Sequence, residues 1–411
     1  MPAEASTEEA PALMFDGAAA AVASARRAVL ADRYSAYSLE AEWRQLAQLP
    51  PIAESWRELA GRALERNVFY EPAFALAAAA AFGADAGAVL VWSGTSPRKL
   101  LGFFPARIER RRYAVKLPVL VGWTHPYAPF GVPLVEREAA EPVVAAFLGF
   151  VAAEPSLPGL LLLPFLPENG PFAAALAAIL RRAQMPSADF NRHRRALLAP
   201  SSARPRYVER SVPARKRKEL RRAVRRLAEM GALLLTSTTA PAAVATALED
   251  FFSLEAGGWK GRAGTAAVCR DDVGGFVRAA VEALAAEDKV VAVRILLDGR
   301  AIAAAIVLRS GDHAWFWKIA HDERFARFSP GVMLTVALTE QLAEDRTIAQ
   351  SDSCASADHP MIEHVWRERL ALCDRLIGLR PRARFRYAKH LQALRSAAIT
   401  GAKRMRGYLC R

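Results

Sequence analysis

Hydrophobic positions recur at two spacings along the chain, and each change of spacing marks an element. The clearest strand signal is at 290–297. The turn Asp298-Gly299 leads to a second strand at 301–308, and Gly311-Asp312 to a third at 313–320. The unbroken apolar run 159–165 predicts a strand buried on both faces. Further strands are predicted at 88–92, 100–108, 115–123 and 232–236, with a short one ending near Asp352. Helices are predicted over 38–49, 52–65, 73–82, 141–153, 171–182, 214–230, 242–255, 273–286, 330–344 and 361–370. Three prolines exclude regular structure between His125 and Pro133. Strands alternating with helices make the fold class α/β. Both halves run helices before hairpin strands, the pattern of a duplicated domain.

Local detail sharpens two of these helices. In 214–230 the apolar stripe is Leu220, Val224 and Leu227, the remaining face is densely basic, and Gly231 ends the helix. The helix at 330–344 opens at Ser329-Pro330-Gly331, where Ser suits the N-cap and Pro the first turn. It follows a charged loop, 321–328, that carries Arg324 and Arg327. A strand, a basic loop and an open helix start together suit a phosphate or pyrophosphate.

Composition narrows the range of partners. The net charge of +14 is concentrated in two segments: 204–230 carries +8 and 380–411 carries +10, so the remainder is net −4. A mildly acidic body with two basic segments suits an anionic partner, whether nucleic acid, phospholipid headgroups or a nucleotide-linked substrate. The first twenty residues have early acids and no basic segment ahead of an apolar one, which reads as a mobile tail (1–37) and not a signal peptide. No apolar run is long enough for a membrane span. Four scattered cysteines give neither a zinc site nor a disulfide framework and fit a reducing cytoplasm. The cluster Pro200, Ser201, Ser202, Pro205 and Pro213 marks a boundary between an N-terminal domain (38–199) and a C-terminal one (200–379), followed by a basic tail (380–411).

Chemistry concentrates in the C-terminal half. In 255–266 four glycines flank Trp259, Lys260 and Arg262, so backbone can approach a ligand while Trp259 offers a stacking face. Asp352 ends a strand, a favourable place for an acid that orients an amine or accepts its proton. His321 and Asp322 follow a strand directly and are further acid or base candidates. His359 and His364 are spaced unsuitably for a metal pair, and no G-x-S-x-G elbow supports Ser/His/Asp catalysis.

Residues 255–266, the hairpin from Val290, Lys318 to Asp322, Ser329-Pro330-Gly331, and Asp352 with Trp366 resemble the acetyltransferase domain of the CelD/BcsL type, a branch of the GNAT superfamily associated with cellulose and exopolysaccharide biosynthesis. The resemblance covers 204–379 and, more faintly, 40–197, where Phe69-Tyr70-Glu71-Pro72 and Gly102-Phe103-Phe104-Pro105 fit the same proteins. It implies tandem GNAT-like domains, each a mixed, mainly antiparallel sheet flanked by helices, similar to the Fem ligases of peptidoglycan synthesis. It also implies acyl transfer, without a metal, from acetyl-CoA or another acyl-CoA to an amine or hydroxyl of a small-molecule or saccharide acceptor. The donor would lie on Lys318, Arg324, Arg327, Ser329, Gly331 and Val332. Glu255, Trp259 and Lys260 would face the acceptor, and Asp352, Asp322 and His321 would supply the chemistry. Where the general GNAT signature reads Q/R-x-x-G-x-G/A, this chain has Arg327-Phe328-Ser329-Pro330-Gly331. Where relatives often have Tyr before the Asp, it has His321. Two other readings stand beside this one: an aminoacyl-tRNA-dependent ligase of the Fem kind, and a scaffold whose basic C-terminal segment docks on anionic lipid at the inner face of a membrane.

Overall fold

The computed structural model describes residues 37–200, 206–357, 359, 361–380 and 382–409; the predicted N-terminal tail, but for its last residue, lies outside them. Its strands are β1 (Leu39–Gln45), β2 (Ala86–Ser93), β3 (Leu100–Glu109), β4 (Val119–Gly122), β5 (Leu134–Val135), β6 (Leu160–Pro167), β7 (Ser187–Leu198), β8 (Leu233–Thr238), β9 (Val290–Leu297), β10 (Arg300–Ser310), β11 (His313–His321), β12 (Gln350–Asp352) and β13 (Glu368–Gly378). The helices are α1 (Ala53–Arg62), α2 (Pro72–Phe82), α3 (Ala140–Ala153), α4 (Pro171–Arg182), α5 (Tyr207–Ser211), α6 (Ala214–Ala228), α7 (Pro241–Gly257), α8 (Trp259–Arg262), α9 (Asp271–Ala285), α10 (Pro330–Glu344) and α11 (Arg382–Leu409).

The thirteen strands form one mixed, mainly antiparallel sheet with helices packed on it. Its order is β1-β2-β3-β4-β6-β13-β7-β12-β11-β10-β9-β8, with β5 added beside β3. Two junctions are parallel, β4 with β6 and β11 with β12. The halves are interleaved: β13, from the end of the chain, lies between β6 and β7, and β7 reaches across to β12. An aromatic seam reinforces this join. Phe74 of α2 meets Phe276 of α9 at 5.4 Å and Trp317 of β11 at 5.7 Å, both edge to face, the geometry that ring quadrupoles favour.

Several expectations are corrected. The segment read as a helix over 38–49 is β1, followed by a single 3-10 turn. In Leu39-Glu40-Ala41-Glu42-Trp43 apolar and acidic residues alternate, and β1 lies antiparallel on β2. The helix expected over 361–370 is a turn leading into β13, whose partners are remote in sequence. The strand read over 115–123 shortens to β4, and β7 and β5 appear where no element was predicted. In α6, Leu220 and Leu227 are buried but Val224 is exposed. The basic segment after 380 is a helix, α11, whose first turns pack on the sheet through Phe385 and Ala388.

Candidate functional site

β11 and β12 pair only at His313↔Gln350, Ala314↔Ser351 and Trp315↔Asp352. Beyond these the strands part. Residues 316–321 then bond to β10 on one side, and their other flank is left without a strand. Such a flank holds a row of N–H and C=O groups ready for another partner. The gap is a cleft of about 450 Å³ between that flank, residues 353–355, 359 and 361–362, and the corner where α7 meets α8. Glu255, Trp259, Lys260, Lys318 and His321 all line it, and so do Cys354 and His359, for which the sequence suggests no role.

The α7–α8 corner is a built turn and not the flexible loop its glycines suggest. Glu255 is buried and holds both ends of the corner, accepting from Lys260 Nζ at 2.7 Å and from the Ala267 N–H at 2.8 Å. Gly261 has a packing role, since a Cβ there would stand 1.7 Å from the Ala256 carbonyl oxygen. Glu323 fastens the corner from outside, accepting from the Trp259 N–H and from Arg262, each at 2.7 Å. The Trp259 backbone is thereby fixed at the cleft, which the residue lines while 62% exposed. A large apolar ring exposed to water is a stacking platform in waiting.

Lys318 is a strongly perturbed group of the cleft. Burial, and then the charge of Lys260, push its ammonium down to about 8, against an opposing pull from Glu255 and Cys354. Its Nζ lies 3.7 Å from the centroid of the Tyr127 ring, and the Tyr127 carbonyl accepts from the Trp317 indole at 2.8 Å. Tyr127 belongs to the proline-rich stretch of the N-terminal half, so that half supplies one side of the lysine's pocket. Beside it His125 is boxed in by Phe82, stacked at 4.3 Å, and burial takes its pKa down to about 3. It stays neutral next to the lysine. Burial also raises the Cys354 thiol well above its usual value, which keeps it protonated.

The start of α10 differs from its predicted cap. Ser329 adopts a left-handed conformation (φ 56°) and its side chain makes no cap bond; its carbonyl accepts from the Val332 and Met333 N–H groups, both at 3.0 Å. Gly331 is buried against His321, where a Cβ would meet Nδ1 at 3.1 Å. The preceding loop is a 3-10 helix over Glu323–Phe328 capped by Asp322. Asp322 grips the Arg324 guanidinium at 2.6 Å, and that contact holds its carboxyl below the ordinary range. This pair lines an adjoining cleft of about 760 Å³ together with Arg262 and Arg300. Arg327 lies over the Phe328 ring at 4.7 Å. Of the predicted donor-side cations, the structure sets Lys318 in the main cleft and Arg324 outside it.

Asp352 is buried behind the cleft. One of its oxygens pairs with Arg195 of β7 and the other accepts from the Cys354 N–H at 2.9 Å. Arg195 also donates to the Pro129 carbonyl at 2.8 Å. Asp352 therefore braces the point where β11 and β12 part, with both oxygens engaged. Trp366 is buried beneath, donating to Thr339 Oγ1 at 2.8 Å. Among the described residues, no group of three His, Cys, Asp or Glu side chains is placed to hold a metal ion, and no helix is long and apolar enough to cross a membrane.

Residues 214–359 match the acetyltransferase (GNAT) domain family. Comparison with curated proteins gave no match. The crystal structure of FemX superposes with a TM-score of 0.53 at 9% identity, over 79% of this chain and 95% of that one. The C-terminal domain of a putative lysylphosphatidylglycerol synthetase from Agrobacterium fabrum gives 0.50 at 12% identity, over 84% and 95%. A tandem GNAT protein from the clavulanic acid biosynthesis pathway gives 0.42 at 13%, over 84% and 99%. For the first two, at these identities, the likeness is one of fold. The parted β11–β12 junction lies wholly within the matched segment. The chain thus carries an acetyltransferase (GNAT) domain, and by that domain it is an acyltransferase.

Proposed function

We propose that the donor is an acyl-CoA and the acceptor an amine or hydroxyl of a sugar or polysaccharide precursor, in a cytoplasmic enzyme of the CelD/BcsL type. One observation carries this reading. Where β12 leaves β11, the cleft holds a lysine pushed down to about 8 and, in its lining, an exposed indole fit to stack on a sugar ring.

The residues fit an acyl-CoA donor. The free flank of 316–321 offers backbone groups along which an extended amide-bearing chain can bond. The start of α10 lies at the far end of that flank, with Arg327 before it. Within this frame Lys318 takes the proton from the attacking amine or hydroxyl as its nitrogen or oxygen bonds to the acyl carbon. It returns a proton to the thiolate released when the C–S bond breaks. At pH 7 about a tenth of the lysine is neutral, enough for a base whose pKa lies near working pH. Backbone N–H groups of the parted strand are placed to stabilise the developing oxyanion. His321, beside Gly331, stands on the donor side, and Trp259 and Lys260 on the acceptor side. Asp352 acts through the frame, as does Asp322 through Arg324.

The test is calorimetric titration with acetyl-CoA, followed by thiol release with amino sugars as acceptors. Micromolar donor binding and release that depends on Lys318 support the reading. Absence of binding to acetyl-CoA and to longer acyl-CoAs removes it. The second reading, a Fem-like aminoacyl-tRNA-dependent ligase, is favoured by α6, where Lys218, Arg221, Arg222, Arg225 and Arg226 are exposed without acidic partners among the described residues. That helix packs against the 3-10 turn before α10. Saturable, steeply salt-dependent binding of aminoacyl-tRNA would move the assignment there.

A further inference from the structure

The end of the molecule remote from the cleft carries a second concentration of charge. α11 is fixed to the sheet by its inner face, with Phe385, Ala388 and Gln392 buried and Phe385 and Ala388 packed on Tyr113, Leu117, Leu162 and Leu376. The outer face of the same turns presents Arg384, Arg386 and Lys389, none with an acidic partner among the described residues. Beside these cations stand Tyr387, 52% exposed, and Leu394, 67%. Tyr387 and Leu394 are seven apart and share one stripe of the helix.

Arg384 also lines a cleft of about 420 Å³ with Arg110, Lys116 and Arg380, walled by Pro118 and residues 155–160. Arg380 is locked in place by the carbonyls of Val151, Ala152, Glu154 and Leu157. Among the described residues Arg110, Lys116 and Arg384 have no acidic partner: Glu154 accepts from the Ser156 N–H, and Glu109 pairs with Arg107 and Arg112. The cleft is a cationic pocket open beside a helix that bears both cations and exposed apolar groups.

We propose that this end of the molecule docks on a membrane surface rich in anionic phospholipid. A headgroup phosphate enters the Arg110–Lys116–Arg384 cleft, and Tyr387 and Leu394 settle at the boundary with the acyl chains. The apolar side chains select a bilayer over a nucleic acid. A polyanion in water gains nothing from Leu394, whereas an interfacial helix binds through both its apolar and its basic groups. α6 provides the contrast, since its outer face is almost purely basic. The proposal stands independently of the acyl-transfer assignment.

The test is co-sedimentation of the full chain with vesicles of phosphatidylcholine alone and of phosphatidylcholine with phosphatidylglycerol. Binding is expected only to the anionic vesicles and is expected to weaken with salt. The triple variant Arg110→Gln, Lys116→Gln, Arg384→Gln should weaken it by about a hundredfold, at about fivefold per cation. Tyr387→Ser with Leu394→Ser should weaken it by at least tenfold, at two exposed positions where the melting temperature is not expected to move. Equal binding to both vesicle types, or no binding to either, overturns the proposal. So does retention of binding in both variants, or RNA binding that the Tyr387→Ser, Leu394→Ser variant keeps in full while vesicles fail to bind.

Discussion

The two parallel junctions of the sheet start alike and end differently. At β4 and β6 the pairing is Leu120↔Leu161 and Val121↔Leu162, after which the chain turns into the proline-rich stretch. That stretch fills the space beside β6. Gly131 donates its N–H to the Phe165 carbonyl at 3.2 Å, and a Cβ on it would stand 1.9 Å from the Pro164 oxygen. Asn67 ties the same stretch down by donating to the Val132 carbonyl at 2.8 Å. At β11 and β12 no such segment enters, and the parted strands leave the cleft. One half therefore uses its junction to make structure and the other to make a site. The filling segment of the first junction also serves the second, through Tyr127 beneath Lys318 and the Pro129 carbonyl on Arg195.

The largest effect should come from the brace at the open junction. Asp352→Ala leaves Arg195 buried without its counter-charge and should cost about 3–5 kcal/mol of stability, a large share of the total for a folded protein. Replacing both partners by apolar residues, Asp352→Leu with Arg195→Met, should recover most of that loss in chemical denaturation. A single variant that keeps its stability and loses turnover would instead make Asp352 a group of the reaction.

Lys318→Met separates chemistry from packing. Turnover should fall by about a hundredfold or more, while the melting temperature holds or rises, because a lysine held below its free value burdens the folded state. In the parent the rate should climb with pH and level off above about 8, and this limb should vanish in the variant. Stability gives the same sign. The unfolded chain binds the extra proton between about 8 and 10.5, so stability should rise across that window in the parent and stay flat in the variant.

At the filled junction, Gly131→Ala should lower stability by about 1–3 kcal/mol, the usual cost of overpacking. Donor affinity measured on the folded variant should be unchanged; a parallel fall would mean that the filled junction also shapes the donor site. The smallest effect on stability belongs to Trp259→Ala. The melting temperature should not move, and KM for the acceptor should rise by about tenfold, as loss of an aromatic stacking face predicts. An unchanged KM would take the indole out of acceptor binding.

Much of the framework was legible because it is local. The hairpin from β9 to β11, the run of β6 and the helix at α10 all depend on neighbours within a few residues. β1 and β13 were not legible, since Leu, Glu, Ala and Arg are good helix formers and only distant strands hold those segments extended. The corner around Trp259 and the basic character of Lys318's strand were visible in composition. Its low pKa was not, because burial and the charge of Lys260 act on it only once segments far apart in the chain are packed together, Tyr127 among them. Arg195 lay in a polar stretch with no periodicity to single it out, and its role exists only once β7 is laid beside β12.

The interleaving of β13 between β6 and β7 bears on how this enzyme can be divided. The segment that matches the acetyltransferase domain family is not a unit that can be excised. Expressed from residue 206 onward, it would lose both strands that flank β13, the arginine that meets Asp352 and the aromatic floor under its lysine. Gene fusion, truncation or library shuffling at the proline-rich boundary would yield two fragments with sticky edges. Mixing those fragments, so that one completes the sheet of the other, is the route by which activity would return.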